Sequence, residues 1–371
     1  MSLRRFLPAL APGLLAAGLS APGALADTTL TYGSSLPAPH IVHTAGLEPF
    51  FARVEAATGG DTGWELSPGG AMGGVKEAFS MVADNVTDAG LLLDIYARQE
   101  LPVTSMFSDM ITLPDDFIVF AAAANEMQLV ACEECIAERS ARDVVSLAYY
   151  GPDPYLIMCR DDTRSLADLQ NKKTRASGRL GVLMQDFGAT TVTIPSSEVY
   201  ESLQRGQADC TVASTAWLES YALKDVVKTV IDLPTGSYFN AGLMLMNKPV
   251  FDGLSEAGQQ AIRANLAELV VDVLFAYRDE GRAALDSAVA AGVTLVEPDE
   301  EMLERIGAFR AGEIENTIAA ADAAGVPGAR QRIETYMALV EKWRGLLAGI
   351  GDDKQAFVDA LNREVFDKAR F

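Results

Sequence analysis

Arg175 is the residue of this chain whose type and setting most directly imply chemistry. It closes the run SLADLQNKKTR (165–175), ahead of the strand-like TVTIP (191–195) and the segment SSEVYESLQRGQAD (196–209). A guanidinium presents two parallel N–H groups that match a carboxylate. Lys172, Lys173 and Arg179 add to a local concentration of positive charge, in which the lysines read as a solvated helix-to-strand turn. The bland alternatives for Arg175 are a surface arginine closing a strand, or an ion pair with Glu198 or Asp209. No nucleophile–base pair stands beside it, which leans toward binding rather than catalysis.

Other chemistry-bearing residues are few. His40 and His43 are the only histidines. Their H-x-x-H spacing in a proline loop fits no zinc pattern, so no metal is expected. There is no G-x-S-x-G, and GGAMGG (69–74) matches neither the dinucleotide fingerprint nor the P-loop, so no cofactor is expected. Cys132 and Cys135 form a C-x-x-C, but Glu133 and Glu134 would raise rather than lower the thiol pKa. Cys159 ends the apolar run YLIMC, and Cys210 follows the QRGQAD turn. Disulfides Cys132–Cys135 and Cys159–Cys210 are the expected pairing.

The first 26 residues read as a signal peptide: Arg4 and Arg5, an apolar stretch from Leu7 to Ala24 broken by prolines, then Ala24-Leu25-Ala26. Cleavage after Ala26 and a periplasmic location follow as expectations. The formal charge of −21 would become −23, because Arg4 and Arg5 depart and no acid does. A chain so acidic repels nucleic acid and anionic lipid, so no nucleic-acid partner is expected. Any site for an anion must therefore be local and enclosed. A monomer is the default.

The elements that must position Arg175 alternate strand and helix. Thr28–Gly33, Trp64–Leu66 and Ala89–Leu93 read as strands with helices between them, a βαβ arrangement that implies a parallel sheet. A second, shorter βα series runs through Tyr155–Cys159, the strand before Arg175, a helix near Val182–Phe187, Val192–Ile194 and Asp209–Val212. FNAGLMLMN (239–247) reads as a strand crossing back to the first domain. From Leu254 to about Ala291 the pattern is one helix that could exceed about 50 Å and lie across both lobes. The expected fold class is α/β, two lobes joined by chain that crosses more than once, a hinge architecture. Lobe I takes 27–152 with 240–278, and lobe II takes 153–239 with 279–371, including the C-terminal helices.

These pieces, in order, resemble the DctP-type solute-binding proteins of tripartite ATP-independent periplasmic (TRAP) transporters. The likeness is carried by YGSSLPAPH, PGGAMGGVKEAF, SLADLQNKKTR, FGATTVTIPSSEVYESLQRGQAD, GLMLMNKPVFDGLSEAGQQAI and the tail from Val340 to Phe366. It implies the two-lobed periplasmic-binding-protein (type II-like) fold, in a receptor that closes over a small organic acid and delivers it to membrane permease subunits. It also implies that Arg175, at the arginine of the family motif DLkGlkiR, pairs with the ligand carboxylate. Asn171 departs from that motif's glycine, and Cys210 from the glycine that usually ends VDG. Tyr155 stands where some members have a second arginine. Ala213, followed by Ser214 and Thr215, replaces an asparagine.

Further candidate ligand contacts are Tyr155, Trp217, Ser214, Tyr238 and Asn240 near strand ends. His40 and Met72 join them, on the SSLPAPH and GGAMGG loops facing the cleft. The competing classes are a secreted α/β enzyme, a ligand sensor, and the receptor of an ATP-driven permease.

Overall fold

The computed structural model describes residues 28–371; the expected signal peptide lies outside the described residues. Two mixed sheets organise two lobes. In the first, β1 (Thr28–Gly33) pairs in parallel with β2 (Thr62–Ser67) and β3 (Ala89–Leu92). The remaining strands are β4 (Val144–Tyr150) and β10 (Ala241–Asn247), which runs antiparallel between β3 and β4. The crossing strand thus completes the first sheet, as its apolar run implied. All seven residues of β4 and of β10 are buried. Continuous apolar runs of this kind belong to strands covered on both faces.

The second sheet has the order β11-β9-β5-β8-β6-β7. Its members are β5 (Tyr155–Cys159), β6 (Lys173–Arg175), β7 (Thr190–Val192), β8 (Cys210–Ser214), β9 (Thr229–Ile231) and β11 (Thr294–Val296). Cys159 and Cys210 are direct partners in the antiparallel β5–β8 register and are disulfide-bonded, with Cα atoms 4.0 Å apart. Cys132 and Cys135 form the second disulfide, at the start of the helix Glu133–Ser140.

The chain passes between the lobes four times, the last being the return from β11 through residues 297–328 to the first lobe. Residues 151–154 link β4 to β5, residues 232–240 link β9 to β10, and the helix Glu256–Ala290 runs past both sheets. Ser255 caps that helix, its hydroxyl accepting from Gly258 N at 3.1 Å. Its 35 residues correspond to about 52 Å of helix. The first half buries Leu266, Leu269, Val270, Val273 and Leu274 in the main core, while Ala284 and Ala288 pack into the second lobe's core.

The C-terminal packing differs from the expectation that 279–371 accompany lobe II. The helix Ala329–Ile350 lies along the helix Phe117–Glu126 of the first lobe. Ile333, Tyr336, Val340 and Trp343 form a buried stripe at helical spacing, and that stripe needs the apolar, alanine-rich face of 117–126 as its cover. Tyr336 Oη donates to Phe120 O (2.9 Å), and Trp343 Nε1 donates to Glu126 (2.8 Å). The helix Lys354–Leu361 closes over the long helix.

Candidate ligand-binding site

A cavity lies between the lobes. The first lobe and crossing chain supply Leu36, His40, Ile95, Tyr96, Tyr150 and Tyr238, and the long helix supplies Tyr277. The second lobe supplies Tyr155, Arg175, Ser177, Ser196 and Trp217. Most of these sit where strands end: Tyr150 closes β4, Tyr155 opens β5, Arg175 closes β6, and Trp217 follows β8. Ligands of open α/β sheets bind at such ends.

Arg175 is the one charged side chain in that wall and is 4 % exposed. Its Nε donates to Ile194 O at 2.9 Å, which fixes the plane of the guanidinium. The guanidinium carbon stands 5.8 Å from the centroid of the Trp217 ring. Among the described residues no carboxylate pairs with it: Asp209 accepts from Lys173 N instead. The neighbouring cations are all engaged elsewhere. Lys172 pairs with Asp161 (2.6 Å), Lys173 donates to Gly206 O (3.0 Å), and Arg179 Nε donates to Glu313 (3.0 Å). The basic cluster of the sequence therefore resolves into three satisfied cations and one bare guanidinium facing the cavity.

The remaining wall is uncharged and mixes aromatic with aliphatic side chains, together with Ser177 and Ser196. Tyr155 and Trp217 stand 6.0 Å apart by ring centroids, and Trp217 and Tyr221 4.7 Å. Burial raises the pKa of Tyr150, Tyr155 and Tyr277 above the usual phenol range, so their hydroxyls stay protonated. His40 is fully buried, and burial without a counter-ion lowers its pKa to about 3, leaving it neutral.

Three of the sequence-derived candidates do not reach the cavity wall. The Ser214 hydroxyl donates to Asp153, behind β8. Asn240 donates to Asp94 (2.6 Å) and to Thr104 O (3.1 Å), supporting the crossing chain from within. Met72 is 44 % exposed: its loop is tied back by Gly69 N to Leu36 O and Gly70 N to Ser34 O, which turns the side chain to the surface. Tyr238 does line the cavity, but its hydroxyl donates to Asp94 and accepts from Ile95 N (3.3 Å). Desolvation raises buried Asp94 to about 6, against the hydrogen bonds from Tyr238, Ser108 and Asn240. Tyr96, Tyr150 and Tyr277 were not singled out from the sequence. A tyrosine inside a long amphipathic helix or ending a buried strand reads as core, and only the fold turns these hydroxyls toward a cleft.

The profile of the bacterial extracellular solute-binding proteins, family 7 (DctP), matches residues 32–310. The chain belongs to that family. A solute-binding protein of Albidiferax ferrireducens is 22% identical over 250 residues, 64% of this chain and 73% of that protein. Among solved structures, a marine-metagenome TRAP solute-binding protein specific for aromatic acids, in complex with 3-hydroxybenzoate, superposes with a TM-score of 0.76. It is 23% identical and covers 86% of this chain and 99% of its own. DctP7 of Bordetella pertussis, an extracytoplasmic solute receptor binding pyroglutamic acid, gives 0.73 at 18% identity, covering 84% and 99%. These DctP-type proteins are substrate-binding receptors of transporters, and the present chain is such a receptor and not an enzyme. No helix among the described residues is long and apolar enough to cross a membrane.

Proposed function

We propose that this receptor binds a small monocarboxylate with an aromatic or cyclic body in the interlobe cavity and hands it to the permease subunits of a TRAP transporter. One observation carries the reading: Arg175 is buried, held in plane and, among the described residues, without an acidic partner in a wall that has no other charge. A buried cation without a counter-charge is costly, and a ligand carboxylate supplies that charge. Trp217 and Tyr155 provide flat apolar faces for the body of the ligand. Relatives of similar fold bind 3-hydroxybenzoate and pyroglutamic acid, which fits one carboxylate on one ring. The receptor acts as a periplasmic monomer released by cleavage after Ala26.

The test is a thermal-shift screen of mono- and dicarboxylates, oxo acids, sugar acids and amino acids, followed by titration calorimetry. A ligand at 100 times its Kd stabilises by about 2.7 kcal/mol. Arg175→Ala weakens binding at least about tenfold, since truncating one member of a buried charged pair costs roughly 2–5 kcal/mol. Arg175→Lys does not restore it, because an ammonium lacks the planar fork. Unchanged affinity in both variants would refute the role of Arg175.

A further inference from the structure

We propose that the first-lobe wall of the cavity reads an uncharged hydrogen-bond acceptor on the ligand, so that the preferred ligands are carboxylates carrying a second, neutral oxygen acceptor. The inference rests on the carboxylate reading above and adds the chemistry of the ligand's other end.

Val42 N–H donates to His40 Nδ1 at 3.2 Å, so Nδ1 is an acceptor and the single proton of the neutral imidazole sits on Nε2. Nε2 faces Tyr277 Oη at 3.4 Å. An imidazole N–H can only donate, so Tyr277 Oη accepts there and must send its own proton elsewhere. The Tyr277 ring stacks beside Tyr150, with centroids 5.9 Å apart and planes at 19°. Both tyrosines and His40 line the cavity.

Among the described residues, neither a carboxylate nor a backbone carbonyl accepts from either hydroxyl, although Tyr32 and Tyr336 each find a backbone carbonyl. Two phenolic protons therefore have at most this pair of oxygens to meet, one of which already accepts from His40. If Tyr277 donates to Tyr150, the Tyr150 proton is left over; in the reverse order it is the Tyr277 proton. Either way the network ends in an O–H without a protein acceptor, in a wall shared with the ligand.

A buried donor left unpaired is more costly than the bond it would make is favourable. An alkyl substituent against this wall leaves the donor unmet. A carbonyl, ether or hydroxyl oxygen meets it. An ammonium finds no carboxylate in the wall to receive it, which sets amino acids apart from their oxo and deaminated counterparts.

Calorimetric titration of the full-length mature receptor with two matched pairs tests this. The pairs are 3-formylbenzoate against 3-methylbenzoate, and 3-oxocyclopentanecarboxylate against cyclopentanecarboxylate. The acceptor-bearing member of each pair binds about tenfold more tightly, and in Tyr150→Phe/Tyr277→Phe the ratio drops below about threefold. Equal affinities within both wild-type pairs overturn the inference while leaving the carboxylate reading intact. A tenfold ratio that persists in a folded double variant also overturns it. Failure of all four acids to bind overturns both readings together. The wild-type ratios decide the matter even if the double variant does not fold.

Discussion

Gly281 of the long helix lies so close to Asp153 of the first crossing chain that a β-carbon at 281 would overlap the Asp153 carboxylate, and would stand 2.7 Å from Thr215 Oγ1. Asp153 in turn accepts from Ser214 Oγ, Thr215 N (3.1 Å) and Thr215 Oγ1 at the end of β8. Helix, crossing chain and second sheet therefore meet at one carboxylate behind the cavity. Gly281→Ala forces the helix off this junction. It should destabilise the protein by about 1–3 kcal/mol, the usual range for overpacking. Urea denaturation measures this, and an unchanged midpoint would show that the junction yields without strain.

Beside the junction, Glu280 has its pKa raised to about 7, first by desolvation and then by the charges of Asp153 and Glu219. The sign follows from linkage. An acid whose folded pKa exceeds its unfolded value disfavours the folded state when ionised; here that penalty is complete above pH 7 and fades as the pH falls toward 4.5. Glu280→Gln removes the charge at every pH. The variant should melt a few degrees above the wild type at pH 8 and close to it at pH 5. Equal melting temperatures at both pH values would contradict the shift.

How much of this could be read from the chain depended on whether the signal was local. The strand Tyr155–Cys159, the crossing strand and the 35-residue helix announce themselves by apolar runs or unbroken helical spacing. Arg175 stood out because a guanidinium among acids needs a partner. The C-terminal helices were misplaced because an amphipathic stripe shows that a partner exists without saying which. Ser214 ends β8 and Asn240 immediately precedes β10, but pairing with Asp153 and Asp94 turned their side chains away from the cavity. The donor chain through His40 depends on residues 237 positions apart, a proximity that no local pattern encodes.

The two disulfides should contribute unequally. Cys159–Cys210 closes a separation of 51 residues, Cys132–Cys135 one of 3. Loop-closure entropy then gives roughly 4 kcal/mol for the first and roughly 2 for the second. Cys159→Ala/Cys210→Ala should lower the denaturation midpoint clearly more than Cys132→Ala/Cys135→Ala. The reverse ranking would mean that the helix start at 133 depends on its bridge more than the β5–β8 pair does.

Asn171 occupies a left-handed conformation, with φ at 62°, in the turn before β6. Asparagine tolerates this region and glycine does so without steric penalty, whereas alanine does not. This accounts for asparagine at a position where the family motif has glycine. Asn171→Gly should be near neutral and Asn171→Ala destabilising by about 1–2 kcal/mol. Equal effects of the two in thermal denaturation would rule out the backbone explanation.

Glu313 is fully buried and pairs with Arg179 of the second lobe, while also accepting from Thr112 Oγ1 of the first lobe at 3.1 Å. The pair holds Arg179 above the usual guanidinium range through its hydrogen bonds. Its helix, Glu313–Ala323, packs against the first-lobe turn Phe107–Met110 and the helix Ala329–Ile350. The carboxylate thus ties one lobe to the other. Glu313→Gln keeps the shape and the Thr112 bond but removes the charge. It should weaken the closed state by about 1–3 kcal/mol, discounted from a fully buried pair because Arg179 is partly exposed. In stopped-flow measurements this appears as faster ligand release with little change in the association rate. A change confined to the association rate would place Arg179 in ligand capture instead of closure.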